Sequence, residues 1–175
     1  MLTYAKLHIF LLFLPMITGN VLHMIIVRKN LLPGLAIPVS QPLFGRNKTL
    51  RGFLVLPILS GVLALLSSLA FGPLLQSHLE DFLTGAGMGV VYLLSELPNS
   101  YIKRKLGIAN GEHSQRYKLV QIFFDKADSL IGILLFYWLV TPVPWTTIFG
   151  LFFISFGIHL SISYLLVRLK IKQSL

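Results

Sequence analysis

The sequence predicts an all-α integral membrane protein of about five transmembrane helices, with its N-terminus outside and its C-terminus in the cytoplasm. Three observations carry that expectation. Apolar residues make up 55% of the 175-residue chain and charged residues only 12%, with a mean hydropathy of +0.78, whereas soluble domains carry roughly 25% charged residues. Several apolar stretches reach the ~20 residues needed to cross the hydrocarbon core of a bilayer. The basic residues gather in alternate connections between those stretches.

The first expected span, residues 4–27, runs straight into Arg28 and Lys29. It is longer than a signal-peptide core and has no small-residue cleavage site, so it reads as a retained helix. Residues 28–51 contain Pro33, Gly34, Pro38, Pro42 and Gly45, a density of turn formers that predicts a long loop. The second span, 52–75, closes at a polar turn with Gln76, His78, Glu80 and Asp81. The third, 82–102, opens with Gly85, Gly87 and Gly89, where missing side chains let a neighbouring helix approach. Residues 103–118 are polar and basic. A fourth span covers 119–140, the turn TPVPW follows, and a fifth span covers 146–167 before the tail with Arg168, Lys170 and Lys172. These elements use nearly all of residues 1–175, so one transmembrane domain is expected.

Fourteen of the fifteen basic residues fall on one side of this five-span arrangement; only Lys6 falls on the other. By the positive-inside rule the loops 28–51 and 103–118 are cytoplasmic. The net charge of +9 is thereby a topology signal, and no nucleic-acid partner is expected. The bilayer of the cell membrane is the expected environment. The absence of cysteine excludes a disulfide framework, a thiolate nucleophile and a cysteine metal site.

Ionisable residues inside spans are costly and mark functional sites. Glu96 lies six residues before the cytoplasmic end of the third span, and Asp125 and Asp128 lie six and nine residues into the fourth. At 1.5 Å per residue these carboxylates sit roughly 9–14 Å below the cytoplasmic boundary. Asn20 in the first span falls at the same depth. Asp125 and Asp128, three apart, share a helix face, as do Glu96 and Ser100, four apart. Carboxylates crowded in a low-dielectric layer must be protonated or held together by cations, and an oxygen-only donor set favours a hard cation such as Mg²⁺. Above the layer lie Lys103, Arg104 and Lys105, with Lys48 and Arg51 where the second span begins. Acids below and bases above suit a metal-bound polyphosphate and phosphoryl-transfer chemistry.

Other readings compete. The same acids would serve a small cation- or proton-coupled transporter, and the residues alone leave both open. Lys103 to Lys105 taken singly are a topology signal or an anionic-lipid contact. The stretch GRNKT, Gly45 to Thr49, lacks the glycine spacing and preceding strand of a P-loop. Asn47-Lys48-Thr49 is formally a glycosylation sequon, but on the cytoplasmic side it stays unmodified. His23 and His159 lie in spans without a partner at ligand spacing and read as packing residues. His8, His78 and His113 read as solvated or interfacial. Tyr92, Tyr101, Tyr117, Trp138 and Trp145 mostly fall near span ends, where amphipathic rings settle.

Four segments, LPMITGN, PLFGRNKTLRG, SELPNSYIKRKLGI and FFDKAD, occur in this order between Pro15 and Gly132. In them the chain resembles the CDP-archaeol synthase family, relatives of the CDP-diacylglycerol synthases or phosphatidate cytidylyltransferases. The resemblance implies Mg²⁺-dependent transfer of CMP from CTP to a membrane lipid phosphate, archaeol-type or phosphatidate-like, with release of pyrophosphate. It also implies that Lys48, Thr49 and Arg51 belong to a KTxRG segment that binds substrate. Ser100, Lys103 and Arg104 then belong to an S-x-x-K-R segment, Asp125 and Asp128 to a D-x-x-D pair, and Asn20 to a first-helix asparagine. On this reading Glu96, Asp125 and Asp128 hold metal, while Lys103, Arg104, Asp125 and Asp128 carry the catalysis. The chain departs from the family pattern at Ser95-Glu96, where aspartate after glycine is usual, at Leu50 for tryptophan, and at Lys126 and Ser129 beside the aspartates.

Overall fold

The computed structural model describes residues 2–108 and 118–171, the side chains of Leu2, Thr3, Lys118 and Leu119 excepted. His113 and Tyr117 of the expected 103–118 loop, and Lys172 of the tail, lie outside the described residues. The described residues form six helices.

Helix α1 is continuous through three stretches, Leu2–Lys6, Leu7–Phe13 and Leu14–Arg28. The middle stretch is π-helical: the Leu14 N–H reaches the carbonyl of Ile9, five residues back. Pro15 explains the widening, because a proline ring crowds the carbonyl four residues before it and offers no N–H. A short helix α2, Gln41–Phe44, interrupts the loop that follows. Helix α3, Leu50–Phe71, starts at Thr49, whose hydroxyl accepts from the Gly52 N–H at 3.4 Å, and stops at Gly72, which takes φ +82°.

Helix α4, His78–Lys105, begins at Ser77, whose hydroxyl accepts from the Glu80 N–H at 3.2 Å. Glu80 and Asp81 in its first turn and Lys103, Arg104 and Lys105 in its last complement the helix dipole at both ends. The second span is therefore shorter than the expected 52–75 and the third longer than 82–102. Gly72 ends one helix early, and the Ser77 cap draws His78 to Asp81 into the next. Helices α5, Lys118–Val140, and α6, Trp145–Arg168, are separated by a turn carrying Pro142 and Pro144.

Tyr4–Arg28 in α1, α3 and α6 are long and apolar enough to cross a membrane. The 28-residue α4 and 23-residue α5 are long enough, at 1.5 Å per residue, but they carry the charged residues singled out above. Large side chains point outward along the apolar helices: Phe153 is 72% exposed and Leu69 60%, as a lipid-facing surface requires.

Two of the three α4 glycines provide the contact expected of them. A Cβ on Gly85 would lie 2.6 Å from the Ala64 Cβ and from the Ser60 carbonyl oxygen, and one on Gly89 would lie 2.7 Å from the Pro57 Cα. Helices α3 and α4 thus meet nearly backbone to backbone. Gly87 faces the other way, against the Phe136 ring of α5. At the end of this pair Asp81, fully buried, accepts from Ser68 Oγ at 2.5 Å and from the Leu74 and Leu75 N–H groups at 2.7 and 2.9 Å. The apolar core, including Leu11, Met88, Leu134 and Tyr137, fills the half of the bundle nearest the N-terminus. The candidate site residues lie toward the other half.

Candidate active site

The four long helices that carry expected site residues bring most of them into one half of the bundle. Asp125 and Asp128 lie one turn apart on α5 and face α4, where Asn99 Nδ2 donates to Asp125 Oδ1 at 2.7 Å and to Asp128 Oδ2 at 3.0 Å. One nitrogen within hydrogen-bond distance of both carboxylates means that an oxygen of each is turned toward the same point. Lys103, one turn beyond Asn99, donates to Asp125 Oδ2 at 2.5 Å. Asp128 Oδ1 also accepts from the Ser129 N–H at 2.5 Å.

Glu96 lies on α4 one turn before Asn99 and Ser100. Its carboxylate is ion-paired with Lys48, which arrives from the loop ahead of α3, and it accepts from the Tyr92 hydroxyl. Tyr92 in turn accepts from Asn20 Nδ2 of α1 at 3.2 Å, so a polar chain runs from Asn20 through Tyr92 and Glu96 to Lys48. Such a chain inside a low-dielectric bundle keeps each member satisfied. His159 of α6 lies beside it, its ring centre 6.4 Å from that of Tyr92.

Two basic residues expected at the rim are placed differently from each other. Arg51 is buried, with Nη1 donating to the Leu31 carbonyl at 2.9 Å and to Asn30 Oδ1 at 3.4 Å, so it ties down the loop after α1. Arg104 is half-buried, and its Nε has no hydrogen-bond partner among the described residues. Thr49 caps α3, and Ser100 stands half-buried between Glu96 and Arg104.

The expected three-carboxylate metal set is not assembled. Among the described residues, no three His, Cys, Asp or Glu side chains gather to hold an ion. The ion pair with Lys48 and the hydrogen bond from Tyr92 engage Glu96 instead, while Asp125 and Asp128 share Asn99.

Beside this polar half, an apolar cleft opens between α1, α4, α5 and α6. Phe13, Met16 and Ile17 line it from α1, Leu130 and Leu134 from α5, and Ile158 and Ile162 from α6. Asn20, Tyr92, Ser155 and His159 are its polar members. Carboxylates, cations and a membrane-depth apolar cleft thus adjoin one another.

A family model described as CarS-like: CDP-archaeol synthase matches residues 2–175. The chain belongs to this family. A CDP-archaeol synthase of Staphylothermus marinus is 42% identical over 74 residues, which cover 42% of this chain and 39% of that relative. No solved structure matches the chain.

The resemblance to the CDP-archaeol synthase family rests on segments from four places, the second half of α1, the loop before α3, the end of α4 and the first half of α5. The structure makes Lys48, Lys103 and the two aspartates of these segments neighbours. The sequence reading missed Asn99 and Tyr92. Asn99 sits in the motif segment itself, four residues before Lys103, a spacing that puts both on one α4 face. Tyr92 is four residues before Glu96 by the same rule. Its assignment as a span-end ring was wrong: it lies mid-helix, at the polar edge of the cleft. His159 had no signal along the chain, because only the packing of α6 brings it near.

Proposed function

We propose that this protein is a CTP:lipid-phosphate cytidylyltransferase that forms a CDP-activated lipid, CDP-archaeol, in membrane lipid synthesis. Membership of the CDP-archaeol synthase family supports the reaction class. The observation that carries the site is the shared aim of Asp125 and Asp128 at one point, with Lys103 beside them and the apolar cleft adjoining.

All five long helices, α1, α3, α4, α5 and α6, cross the membrane on this reading. The charges of α4 and α5 are tolerated there because they turn toward one another inside the bundle. Helix ends rich in Lys and Arg support a site on the cytoplasmic side and an N-terminus outside.

The donor set fits Mg²⁺. That ion prefers oxygen ligands and is usually held by one or two carboxylates together with substrate phosphates. Asp125 and Asp128 supply two such carboxylates already turned to one point, and Asn99 and Lys103 now fill the positive side of their hydrogen bonds. When bound there, Mg²⁺ neutralises phosphate charge.

In the reaction, a phosphate oxygen of the lipid attacks the α-phosphorus of CTP. A new P–O bond forms there, the bond to the β-phosphate oxygen breaks, and pyrophosphate leaves with the electron pair. Lys103 and Arg104, on the last turn of α4, neutralise the triphosphate, and Lys48 does so from the opposite side while Glu96 orients its ammonium. Ser100, on the same α4 face as Glu96 and Arg104, orients a phosphate oxygen. Thr49 and Arg51 act on this site by fixing the loop that presents Lys48. The cleft receives a hydrocarbon chain, and Asn20 and Tyr92 at its polar edge orient the lipid headgroup. No protein nucleophile is required, since the acceptor is itself a phosphate.

The packed half of the bundle supports this reading over a transporter. Leu11, Met88 and Tyr137 have no measurable exposure and stand between the carboxylates and the far end. Purified protein in detergent, given CTP, Mg²⁺ and an archaeol-type phosphate, should release pyrophosphate and yield a CDP-linked lipid by mass spectrometry. Absence of both products with isoprenoid and diacyl acceptors alike would overturn the proposal.

A further inference from the structure

The loop between α1 and α3 is held firmly yet displays apolar side chains. Its base is closed by hydrogen bonds from the Val39 N–H to the Lys48 carbonyl at 2.8 Å and from the Leu50 N–H to the Ile37 carbonyl at 2.9 Å. Its first turn is pinned by Arg51, which holds Asn30 and Leu31. Leu32 is in the left-handed region at φ 55°, a conformation that is an outlier for a bulky residue. Order and strain of this kind would be expected to bury leucines, yet Leu31, Leu32, Ile37 and Val39 are 49%, 51%, 55% and 43% exposed.

A cluster of exposed apolar side chains on a pinned loop marks a surface that something apolar covers. The composition around it says what. Residues 28–51 contain five basic residues and no acidic one, and Arg28, Lys29 and Arg46 are exposed. The loop also connects the ends of two helices long and apolar enough to cross the membrane, so its leucines lie at the level where hydrocarbon gives way to headgroups. Apolar side chains that enter the acyl boundary beside cations that stay at the phosphates are the two components of interfacial binding to an anionic membrane.

We infer that this loop is an interfacial docking surface whose exposed leucine, isoleucine and valine side chains insert into the adjoining leaflet while Arg28, Lys29 and Arg46 bind anionic lipid headgroups. The surface is separate from the carboxylate site, and its test does not depend on catalysis. Through Lys48, which closes the loop and pairs with Glu96, the docked loop steadies one wall of that site.

The cysteine-free sequence makes the test direct. Single variants Leu32→Cys and Ile37→Cys carry an environment-sensitive NBD label in full-length protein reconstituted into vesicles of phosphatidylcholine, with and without phosphatidylglycerol. Phe153→Cys, on the outward face of α6, serves as the lipid-facing reference. The expected result is loss of NBD intensity with lipids brominated near the headgroup end of the chain, greater when phosphatidylglycerol is present, and little loss with aqueous iodide. Replacing Arg28, Lys29 and Arg46 together by Gln should remove the dependence on phosphatidylglycerol. Quenching by iodide in place of bromolipid would overturn the inference. So would protection from both quenchers, which would mean that protein, such as a second copy of the chain, covers the loop. A bromolipid signal indifferent to anionic lipid would overturn the assignment of the three basic residues.

Discussion

Lys103 Nζ, on the last turn of α4, lies 2.5 Å from Asp125 Oδ2 on α5. The pair joins a motif cation to a motif acid across two helices, and it is largely shielded from water, with side-chain exposures of 15% and 19%. A buried ion pair adds little net stability, because desolvation offsets the attraction. Its value here lies in holding a cation and an acid ready for a triphosphate and its metal. Lys103→Met should then lower kcat/KM for CTP by about 100- to 1000-fold, the loss expected when a preorganised charge-stabilising group is removed. Asp125→Asn should cost a similar factor. Because the two act as one unit, the double variant should be no slower than about the worse single variant, the non-additivity expected of coupled groups. Pyrophosphate release at varied CTP measures all three, and full additivity would show that the residues act independently.

Asn99 supports the aspartate pair without any charge of its own. Asn99→Ala leaves Asp125 and Asp128 without the amide that bridges them, so the two carboxylates repel and turn apart. The half-saturating Mg²⁺ concentration should rise by roughly 10- to 100-fold, as for other groups that orient metal ligands, with smaller change at saturating metal. A Mg²⁺ titration of activity reads this split. An unchanged metal requirement would show that the pair does not hold the ion. Chelation with EDTA should stop turnover of the unaltered protein, and restoring Mg²⁺ should recover it.

The parts of this arrangement that were legible along the chain are those governed by local spacing. Asp125 and Asp128 are three apart and had to share a face of α5, and the basic cluster at Lys103 marked one end of α4. The helical class followed from composition. The partners were not legible, because pairing is decided by how helices rotate against one another. Glu96 was expected to share an ion with the aspartates on depth alone, and depth does not choose a side chain's partner: the Gly85 and Gly89 contact with α3 sets the rotation of α4, Lys48 meets Glu96, and Asn99 is left to hold the two aspartates. Arg51 was expected at a phosphate on motif position, but its position just inside α3 directs it back to the carbonyl of Leu31. The boundaries at Gly72 and Ser77 turned on a positive φ and a cap, details smaller than a hydropathy window.

Tyr92 connects the cleft to the carboxylates, and its hydroxyl is the only part of the ring that the chain from Asn20 to Glu96 uses. Tyr92→Phe removes that hydroxyl and keeps the ring that lines the cleft. One hydrogen bond is worth about 1 kcal/mol, so a roughly 5-fold effect is expected, confined to the KM for the lipid phosphate and sparing the KM for CTP. Steady-state kinetics with each substrate varied in turn separates the two. An equal rise in both constants would mean that the hydroxyl holds the site as a whole.

The contact between α3 and α4 is the element on which the rotation of α4 depends, so damage there should reach the site without touching a polar residue. A Cβ on Gly89 would lie 2.7 Å from the Pro57 Cα and 2.9 Å from its nitrogen, backbone atoms that cannot swing aside as a flexible side chain can. Gly89→Ala must therefore separate the helices, at a cost of about 1–3 kcal/mol for overpacking, and Gly89→Leu should prevent assembly of the folded bundle. Gly34, in the loop, has nothing within 4 Å of the corresponding position, and Gly34→Ala should stay within about 0.5 kcal/mol of the unaltered protein. Thermal unfolding in detergent, followed by the loss of the monodisperse peak on size-exclusion chromatography, ranks the three. Gly89→Ala should also lower activity below its melting transition, since parting α4 from α3 moves Glu96 away from Lys48. A Gly89→Ala protein as stable and as active as the parent would show that α4 takes its orientation from α5 instead.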